Sequence, residues 1–597
     1  MRAEPLETSI DPRSKGPGVR LSRRGAGPGA GELPARPAEL LDHLVRARGG
    51  RAGCGLSLAE MHPAEALAGI DRAADLLAHQ VRRGGHILVI GDYDADGATG
   101  SALAVRGLRA MGAARVSSLI PSRFAFGYGL SPAVVEVALA SAPDLILTVD
   151  NGIASVAGVA RAVEAGVQVV ITDHHLAGPE LPRAAAIVNP NQPGCGFPSK
   201  HLAGVGVVFY VLAALRGRLR DLRWFGPGRS EPNLAAFLDL VALGTVADVV
   251  TLDENNRILV EQGLRRIRAG RCCPGVQALI SVAGKDPRRA SARDLGFAAG
   301  PRLNAAGRLE DMSLGVECLL SDDPDVALDL ARRLDGLNRE RRGIEGGMLE
   351  EALALVEAQG GGNGPPAGIC LFAEGWHQGV TGIVAARIRE RCQRPTIAFA
   401  EAGDGRLRGS ARSVEGTNIR DLIDAVDKAN PGLIERFGGH AMAAGLTLPS
   451  DHLQAFSAAF AAAARAELGD RPPARELVSD GELAPSCFNL ETAELLRTAI
   501  PWGKGFPEPL FDGTFDVLDR RVVGEGHLRL RLRPTLLAGA APAPMPVIES
   551  IEAIGFGLSG ALEQAGGRVH LAYRLDVNEY RGLRSPQLML EYLTSAT

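Results

Sequence analysis

From Ile87 onward, short continuous apolar runs alternate with segments of helical period. ILVIGD (87–92), LILTVD (145–150), VQVVITD (167–173) and AAIVNP (185–190) read as strands, with helices over 99–111, 132–141 and 155–165 between the first three. Strands that are apolar along their whole length have no solvent face, so the pattern predicts a parallel sheet covered by helices on both sides. A second helical block over 200–320 carries LVALGTVADVV (240–250), and 325–358 reads as one long helix weakened in its middle by Gly343, Gly346 and Gly347. GGGNGPP (360–366) reads as a linker, and GICLFA (368–373) opens a second α/β domain. DRPPARE (470–476) marks another hinge. Beyond it, TFDVLDRRV, HLRLRLR, IEAIGFGL, RVHLAYRLDV and QLMLEYL alternate with period two, which predicts a small antiparallel barrel or sandwich. The expected layout is a disordered Gly/Pro/Arg-rich tail (1–36), an α/β domain with an N-terminal helical segment (37–320), a connecting helix and linker (321–366), a second α/β domain (367–470) and a β domain (471–597).

Composition narrows the class. With 597 residues and 46% hydrophobic content, the chain is too long for one core and needs three or four globular pieces. No run approaches the roughly 18 apolar residues of a membrane helix, and no hydrophobic signal core follows the N-terminus, so no membrane association and a cytoplasmic location are expected. The eight cysteines are scattered without a C-x-x-C pair, which argues against both a disulfide framework and a zinc site. A net charge of −4 leaves any nucleic-acid contact to local basic patches.

The chemistry sits where the first strands end. GDYDADG places Asp92, Asp94 and Asp96 directly after a strand, the next strand ends in Asp150, and the following one in Asp173, His174 and His175. Open parallel sheets bind ligands at the carboxyl ends of their strands, so these side chains converge. Crowded carboxylates repel one another unless a cation lies between them. Oxygen donors with one or two imidazoles and no thiolate suit Mn2+ or Mg2+ better than a structural zinc. A lone Asp after a strand is usually a turn or cap residue, and a His-His pair is commonly polar surface; three such strand ends in one sheet point to phosphoester hydrolysis with one or two ions.

GDYDADG, VDNG, TDHH with a following VNP, and GTVADVV resemble, in order and spacing, the four motifs of the DHH phosphoesterase superfamily. IPSRFAFGYGLS (120–131), GPRLNAAGR (300–308), GWHQGVTGIVAAR (375–387), GSARS (409–413), FGGHAMAAG (437–445) and PWGKGFPEPLF (501–511) are similar to its RecJ-like branch, and the likeness spans about 37–597. The resemblance implies a DHH domain, a DHH-associated domain and an OB-like barrel. It implies Asp94, Asp96, Asp150, His174 and Asp248 as metal ligands, with Asp92, Asp173 and His175 in or beside the metal site. It also implies a Mn2+- or Mg2+-dependent, monomeric exonuclease that releases 5′ mononucleotides from single-stranded DNA, acting with a helicase and a single-strand-binding protein in repair and recombination. Many superfamily members carry a His where this chain has Ile90, so the second metal is expected to bind weakly or only with substrate.

For DNA grip, the family pattern points to Arg302, Asn304 and Arg308, to Ser410 and Arg412, and to Gly438, Gly439 and His440. Arginine suits a terminal phosphate, although a surface salt bridge is the commoner role for each one alone. In HLRLRLR, strand alternation turns Leu528, Leu530 and Leu532 inward and Arg529, Arg531 and Arg533 outward, a basic face that is either merely solvated or tracks a single strand. Two rival readings remain at this point. One is a DHH phosphodiesterase for short oligonucleotides or cyclic dinucleotides, against which the PWGKGFPEPLF segment and terminal barrel argue. The other is a non-catalytic scaffold, against which the full set of acids argues.

Overall fold

The computed structural model describes residues 19–24, 33–51, 55–361, 364–469, 475–524, 526–535 and 549–596. The chain divides into two compact units, one built from 31–338 with 480–597 and the other from 1–30 with 339–479.

The larger unit holds the strand-rich segment predicted after Ile87. The first strand among the described residues, β1 (Val19–Arg23), belongs to the smaller unit; the larger unit's parallel sheet is made of β2 (His86–Gly91), β3 (Arg115–Leu119), β4 (Leu145–Val149), β5 (Gln168–Thr172) and β6 (Ala186–Val188). They run parallel in the order β3-β2-β4-β5-β6. β2 and β4 are buried along their whole length, as their uninterrupted apolar runs require. Strand β3 escapes prediction because RVSSL is an edge strand, paired on one side only, with most of its residues half-exposed.

Helices cover both faces. Ile90, Ile146 and Ile171 pack on Val134, Val135 and Val159 from the helices Pro132–Leu139 and Val156–Glu164. On the other face, Val89 and Leu147 join Leu103, Val208 and Leu243 of the helices Ala95–Ala110, Gly204–Asp221 and Leu238–Ala247.

The helix Pro324–Gly360 is continuous for 37 residues through Gly343, Gly346 and Gly347. Each glycine lowers helix stability by about 1 kcal/mol relative to alanine. The burial of Met348, Ala352 and Val356 and the Arg341–Glu345 pair at 2.6 Å supply compensating contacts.

In the smaller unit, β7 (Ile369–Phe372), β8 (Thr396–Gly403), β9 (Arg406–Arg412), β10 (Arg436–Gly439) and β11 (Ala443–Pro449) form a mixed sheet in the order β10-β11-β9-β8-β7. A separate two-stranded sheet pairs β1 in parallel with β12 (Arg475–Ser479). The expectation of a disordered tail therefore needs correction at 19–23: Leu21 is buried and the segment is a strand because a partner exists far along the chain. The rest of that tail up to 32, apart from Arg24, and residues 470–474 of the expected hinge lie outside the described residues.

Strands β13 (Phe511–Val523), β14 (His527–Pro534), β15 (Ile551–Gly555), β16 (Arg568–Tyr580) and β17 (Leu583–Ser595) close a barrel in the order β13-β14-β15-β17-β16. The barrel belongs to the larger unit, and its Phe511, Phe515 and Tyr573 share that unit's core. A buried ion pair, Arg48–Asp480 at 2.6 Å, and Arg257 stacked 4.1 Å over Phe506 tie the approach to the barrel to the helices before and after the parallel sheet.

Candidate active site

The side chains of the acidic motifs meet at the carboxyl ends of β2, β4 and β5. Three overlapping sets each bring their donor atoms within 4.8 Å of one another: Asp92, Asp94 and Asp150; Asp96, His174 and Asp248; Asp150, His174 and His175. His174 Nε2 lies 3.0 Å from Asp150 Oδ1, 3.5 Å from Asp248 Oδ2 and 3.9 Å from Asp96 Oδ2.

Each acid is placed by a separate local device. Asp94 caps the helix Ala95–Ala110, accepting the Gly97 N–H at 2.9 Å. Asp96 turns away from its own helix and accepts the N–H groups of Gly204 and Val205, at 2.6 and 2.8 Å, from the first turn of the next helix along the cluster. Asp150 adopts a left-handed backbone conformation, φ 62°, and Val249 beside Asp248 does so at φ 58°. Such conformations are strained for side chains with a Cβ, and branched valine tolerates them least. Close packing completes the frame. A Cβ on Gly204 would lie 2.6 Å from Asp150 Cβ, and one on Gly307 would lie 1.8 Å from the Tyr93 carbonyl oxygen.

Asp173 plays a different part from the other acids. Its Oδ1 accepts the N–H groups of His174 and His175 and faces His175 Nδ1 at 2.8 Å, while Oδ2 accepts the Ile153 N–H at 2.9 Å. Both oxygens are committed to holding the His-His turn, and Asp173 belongs to none of the three donor sets. Burial alone would raise its pKa, but the His175 hydrogen bond and charge and the Ile153 N–H together hold it below the usual carboxylate value.

Asp92, Asp96, Asp150 and Asp248 show the opposite electrostatics. Burial, followed by the charge of Asp94, raises Asp96 to about 7 against the restraint of its two backbone donors. Burial first, and then neighbouring carboxylates, also push Asp92, Asp150 and Asp248 well above the ordinary value. Burial disfavours the charge on His175, yet its hydrogen bond to Asp173 and the surrounding acids raise it to about 9. Asp150 Oδ1 is buried without a hydrogen-bond partner. A buried acceptor in a cluster of mutually repelling oxygen donors, with imidazole and no thiolate, is the donor chemistry of a Mn2+ or Mg2+ site. Ile90 is buried in β2, while Asp92 contributes an oxygen to the set with Asp94 and Asp150.

Several supporting residues carried no functional role in the sequence reading. Tyr128 sits with its hydroxyl 3.0 Å from His175 Nδ1 and donates to the Asp150 carbonyl at 3.2 Å. Asn189 and Asn191 donate to the carbonyls of His175 and His174 at 2.9 and 2.6 Å. Asn189 follows β6 as Asp150 follows β4, and that shared position after a strand was the available signal.

The residues expected to contact DNA divide into two groups. Asn304 accepts the Ala95 N–H at 2.8 Å, so it braces the acidic loop. Arg302 is buried and engaged with Asp335 at 2.8 Å and with the Ala298 carbonyl at 2.7 Å, which ties it to the long helix; Arg308 is half-buried on the same helix as Arg302. In the smaller unit, Gly438, Gly445 and Ser410 lie side by side across β10, β11 and β9, and Ser410 Oγ is 3.1 Å from Thr381 Oγ1. Arg412 ends β9, donating to the Ala411 carbonyl, and the His440 N–H donates to the Ala443 carbonyl in the turn between β10 and β11. On β14 the leucines face inward as expected, but Arg529 pairs with Glu552 at 2.8 Å and Arg533 with Asp516 at 3.8 Å. Cross-strand acids partly neutralise that basic face, and Arg531 remains exposed between them.

Family models agree with this layout. The DHH family N-terminal domain matches residues 86–245, the DHHA1 domain 366–466 and the RecJ OB domain 479–592. The chain is 49% identical over 579 residues to the single-stranded-DNA-specific exonuclease RecJ of Escherichia coli K12, covering 96% of this chain and 98% of that protein. The chain belongs to the RecJ family. RecJ from Thermus thermophilus has been solved in complex with Mn2+ and aligns with a TM-score of 0.76 at 31% identity, covering 97% of this chain and 80% of that one. Its Mg2+ complex aligns with a TM-score of 0.71 at 30% identity, covering 97% and 79%. Among the described residues, no helix is long and apolar enough to cross a membrane.

Proposed function

We propose that this chain is a metal-dependent exonuclease that hydrolyses single-stranded DNA from the 5′ end, releasing 5′ mononucleotides in DNA repair and recombination. The observation that carries the reading is the convergence of Asp92, Asp94, Asp96, Asp150, His174 and Asp248 at three strand ends, in a chain about half identical to a single-stranded-DNA-specific exonuclease over nearly its whole length. The cofactor is Mn2+ or Mg2+, as in the solved RecJ complexes. Asp94, Asp96, Asp150, His174 and Asp248 would hold the ions, with Asp92 as a further oxygen donor where Ile90 supplies none. When bound, the ions polarise a phosphoryl oxygen and stabilise the charge that develops on it.

The protein's own residues do the positioning. Asp173 fixes the orientation of His174 and His175, and Tyr128 and Asn189 hold that turn from either side. His175 faces Asp173 at 2.8 Å and shares a donor set with Asp150 and His174. Ser410, Arg412, Gly438, Gly439 and His440 offer a hydroxyl, a guanidinium and backbone approach to a terminal phosphate. Arg531 contributes to a basic barrel face for the strand. The enzyme is read as a cytoplasmic monomer that receives its substrate from a helicase or a single-strand-binding protein, on the strength of the family resemblance.

Digestion of 5′- and 3′-labelled single- and double-stranded DNA, with and without Mn2+, tests reaction, polarity and strand preference together. Metal-dependent release of the 5′ label from single strands as mononucleotide is the expected result. Preference for oligomers of two to five nucleotides over long strands would instead assign the chain to the short-oligonucleotide phosphodiesterases, and undiminished activity in Asp150→Ala would remove the catalytic assignment.

A further inference from the structure

Phe297 is the most exposed aromatic side chain among the described residues, with 77% of its surface open to solvent. Its neighbours give it no freedom to turn inward. Leu295, Ala298 and Ala299 on the same π-helical turn, Leu295–Ala299, are buried, and the turn runs directly into the helix Gly300–Leu309. Gly296 and Gly300 seat this segment against the end of the helix that delivers Asp248: a Cβ on Gly296 would lie 3.2 Å from Val246 Cγ1, and one on Gly300 would lie 3.0 Å from Ala247 Cβ. Single π-turns inside helices recur at functional sites, where the inserted residue redirects a side chain.

The same helix reaches the metal cluster at its other end. Asn304 holds the Ala95 N–H, and Gly307 packs on the Tyr93 carbonyl, so the platform and the Asp92–Asp96 loop share one rigid support. Seven residues of helical rise separate Phe297 from Asn304, roughly 10 Å. The surroundings match a nucleotide. Val249, next to Asp248, is 60% exposed in a strained left-handed conformation. Lys504, exposed on the turn that receives the Leu252 N–H at 2.7 Å, places its positive charge near Asp248. An exposed aromatic and a cation around an acidic centre offer a base a stacking surface and its phosphate a counter-charge.

We propose that Phe297 is a substrate-binding residue that stacks on a base of the single-stranded DNA as the strand passes the metal cluster, with Lys504 facing the backbone. This inference rests on the reading of the chain as a single-strand exonuclease. Its test is a cycle between the side chain and the base. Wild type, Phe297→Ala and Phe297→Trp are each given a set of 5′-labelled oligonucleotides carrying one abasic sugar at successive positions from the 5′ end.

Wild type is expected to slow at one particular offset. Phe297→Ala is expected to lose roughly tenfold in kcat/KM on the intact strand, and to digest intact and abasic strands alike at that offset. Phe297→Trp should restore both the rate and the pause. The Mn2+-induced thermal shift should be the same in all three, because the side chain is exposed and touches no donor atom.

A pause that persists in Phe297→Ala, an equal loss on intact and abasic strands, or an unchanged rate on every strand overturns the stacking role. Failure of wild type itself to digest single strands would overturn the underlying functional reading, so the two failures are distinguishable.

Discussion

Replacing Asp150 with Asn should make the metal-free protein more stable while abolishing its activity. The substitution keeps shape, and Asn tolerates the left-handed conformation at φ 62° at least as well as Asp. It breaks no hydrogen bond at Oδ1, which faces His174 Nε2 at 3.0 Å without making one. What it removes is a buried charge whose donor atom lies within 4.8 Å of those of Asp92 and Asp94. Two unit charges at about that separation repel by roughly 3.5 kcal/mol at an effective dielectric of about 20. Partial protonation of the acids and the imidazole of His174, 3.0 Å away, reduce the net effect. A gain of about 1–3 kcal/mol near pH 7.5 is expected after that offset.

Thermal unfolding in EDTA and in Mn2+ reads this directly. In EDTA the Asp150→Asn variant should melt several degrees above wild type. In Mn2+ the order should reverse, since an ion at about a hundred times its dissociation constant stabilises only the protein that binds it, by roughly 2.7 kcal/mol. Nuclease activity should fall by more than about a hundredfold, beyond the loss usual when only a residue supporting a ligand is removed. A variant that melts below wild type in EDTA, or that gains the full Mn2+ shift, would refute the repulsion argument.

Four further outcomes follow from named contacts. Gly307→Ala should lower activity at least tenfold in a folded protein, because its Cβ would meet the Tyr93 carbonyl oxygen at 1.8 Å and push the helix away from the acidic loop; circular dichroism with nuclease assays checks this. Asn304→Ala leaves the Ala95 N–H without its acceptor and should cost about 1–3 kcal/mol in denaturant unfolding, together with weaker Mn2+ binding. Arg302→Ala removes the 2.8 Å ion pair to a part-buried Asp335 and should destabilise by about 1.5–3 kcal/mol, whereas the double replacement Arg302→Met with Asp335→Leu should recover most of that loss; a DNA-binding defect without a stability change would restore Arg302 to the substrate. Asp96 titrates at about 7 in the folded chain against an ordinary 3.8, so the folded state takes up more protons between those values. Metal-free stability should therefore fall as pH climbs from about 4 to 7 and return on acidification, as melting temperatures in EDTA across that range would record.

The parallel sheet was legible because β2, β4 and β5 are apolar along nearly their whole length, and the acidic motifs were legible because each stands directly after one of them. Strand β3 was not, since a half-exposed edge strand carries no apolar run. Sequence pattern also does not say what a polar group will be paired with. Arg302 was expected at a phosphate and Arg529 and Arg533 on a face either solvated or tracking a strand, and each faces an acid brought in from another element. Asp173 and Asp150 look equivalent in sequence, yet hydrogen bonds commit both oxygens of Asp173 and leave Asp150 Oδ1 without one. Asp248 follows a helix and not a strand, so only the family motif singled it out.

The pairing of β1 with β12 bears on how the chain is made. Ser22 and Glu476, joined across that two-stranded sheet at 3.0 Å, are 454 residues apart in sequence. At a ribosomal pace of about 5–20 residues per second, β1 waits on the order of half a minute or more for its partner to be synthesised. Closing so long a loop is entropically costly, so this strand, the first of the described elements to leave the ribosome, should be among the last to find its place. An affinity tag fused ahead of Val19 would then meet a segment whose native pairing is completed only after nearly four-fifths of the chain has been translated, and its position would bear on the yield of correctly folded protein.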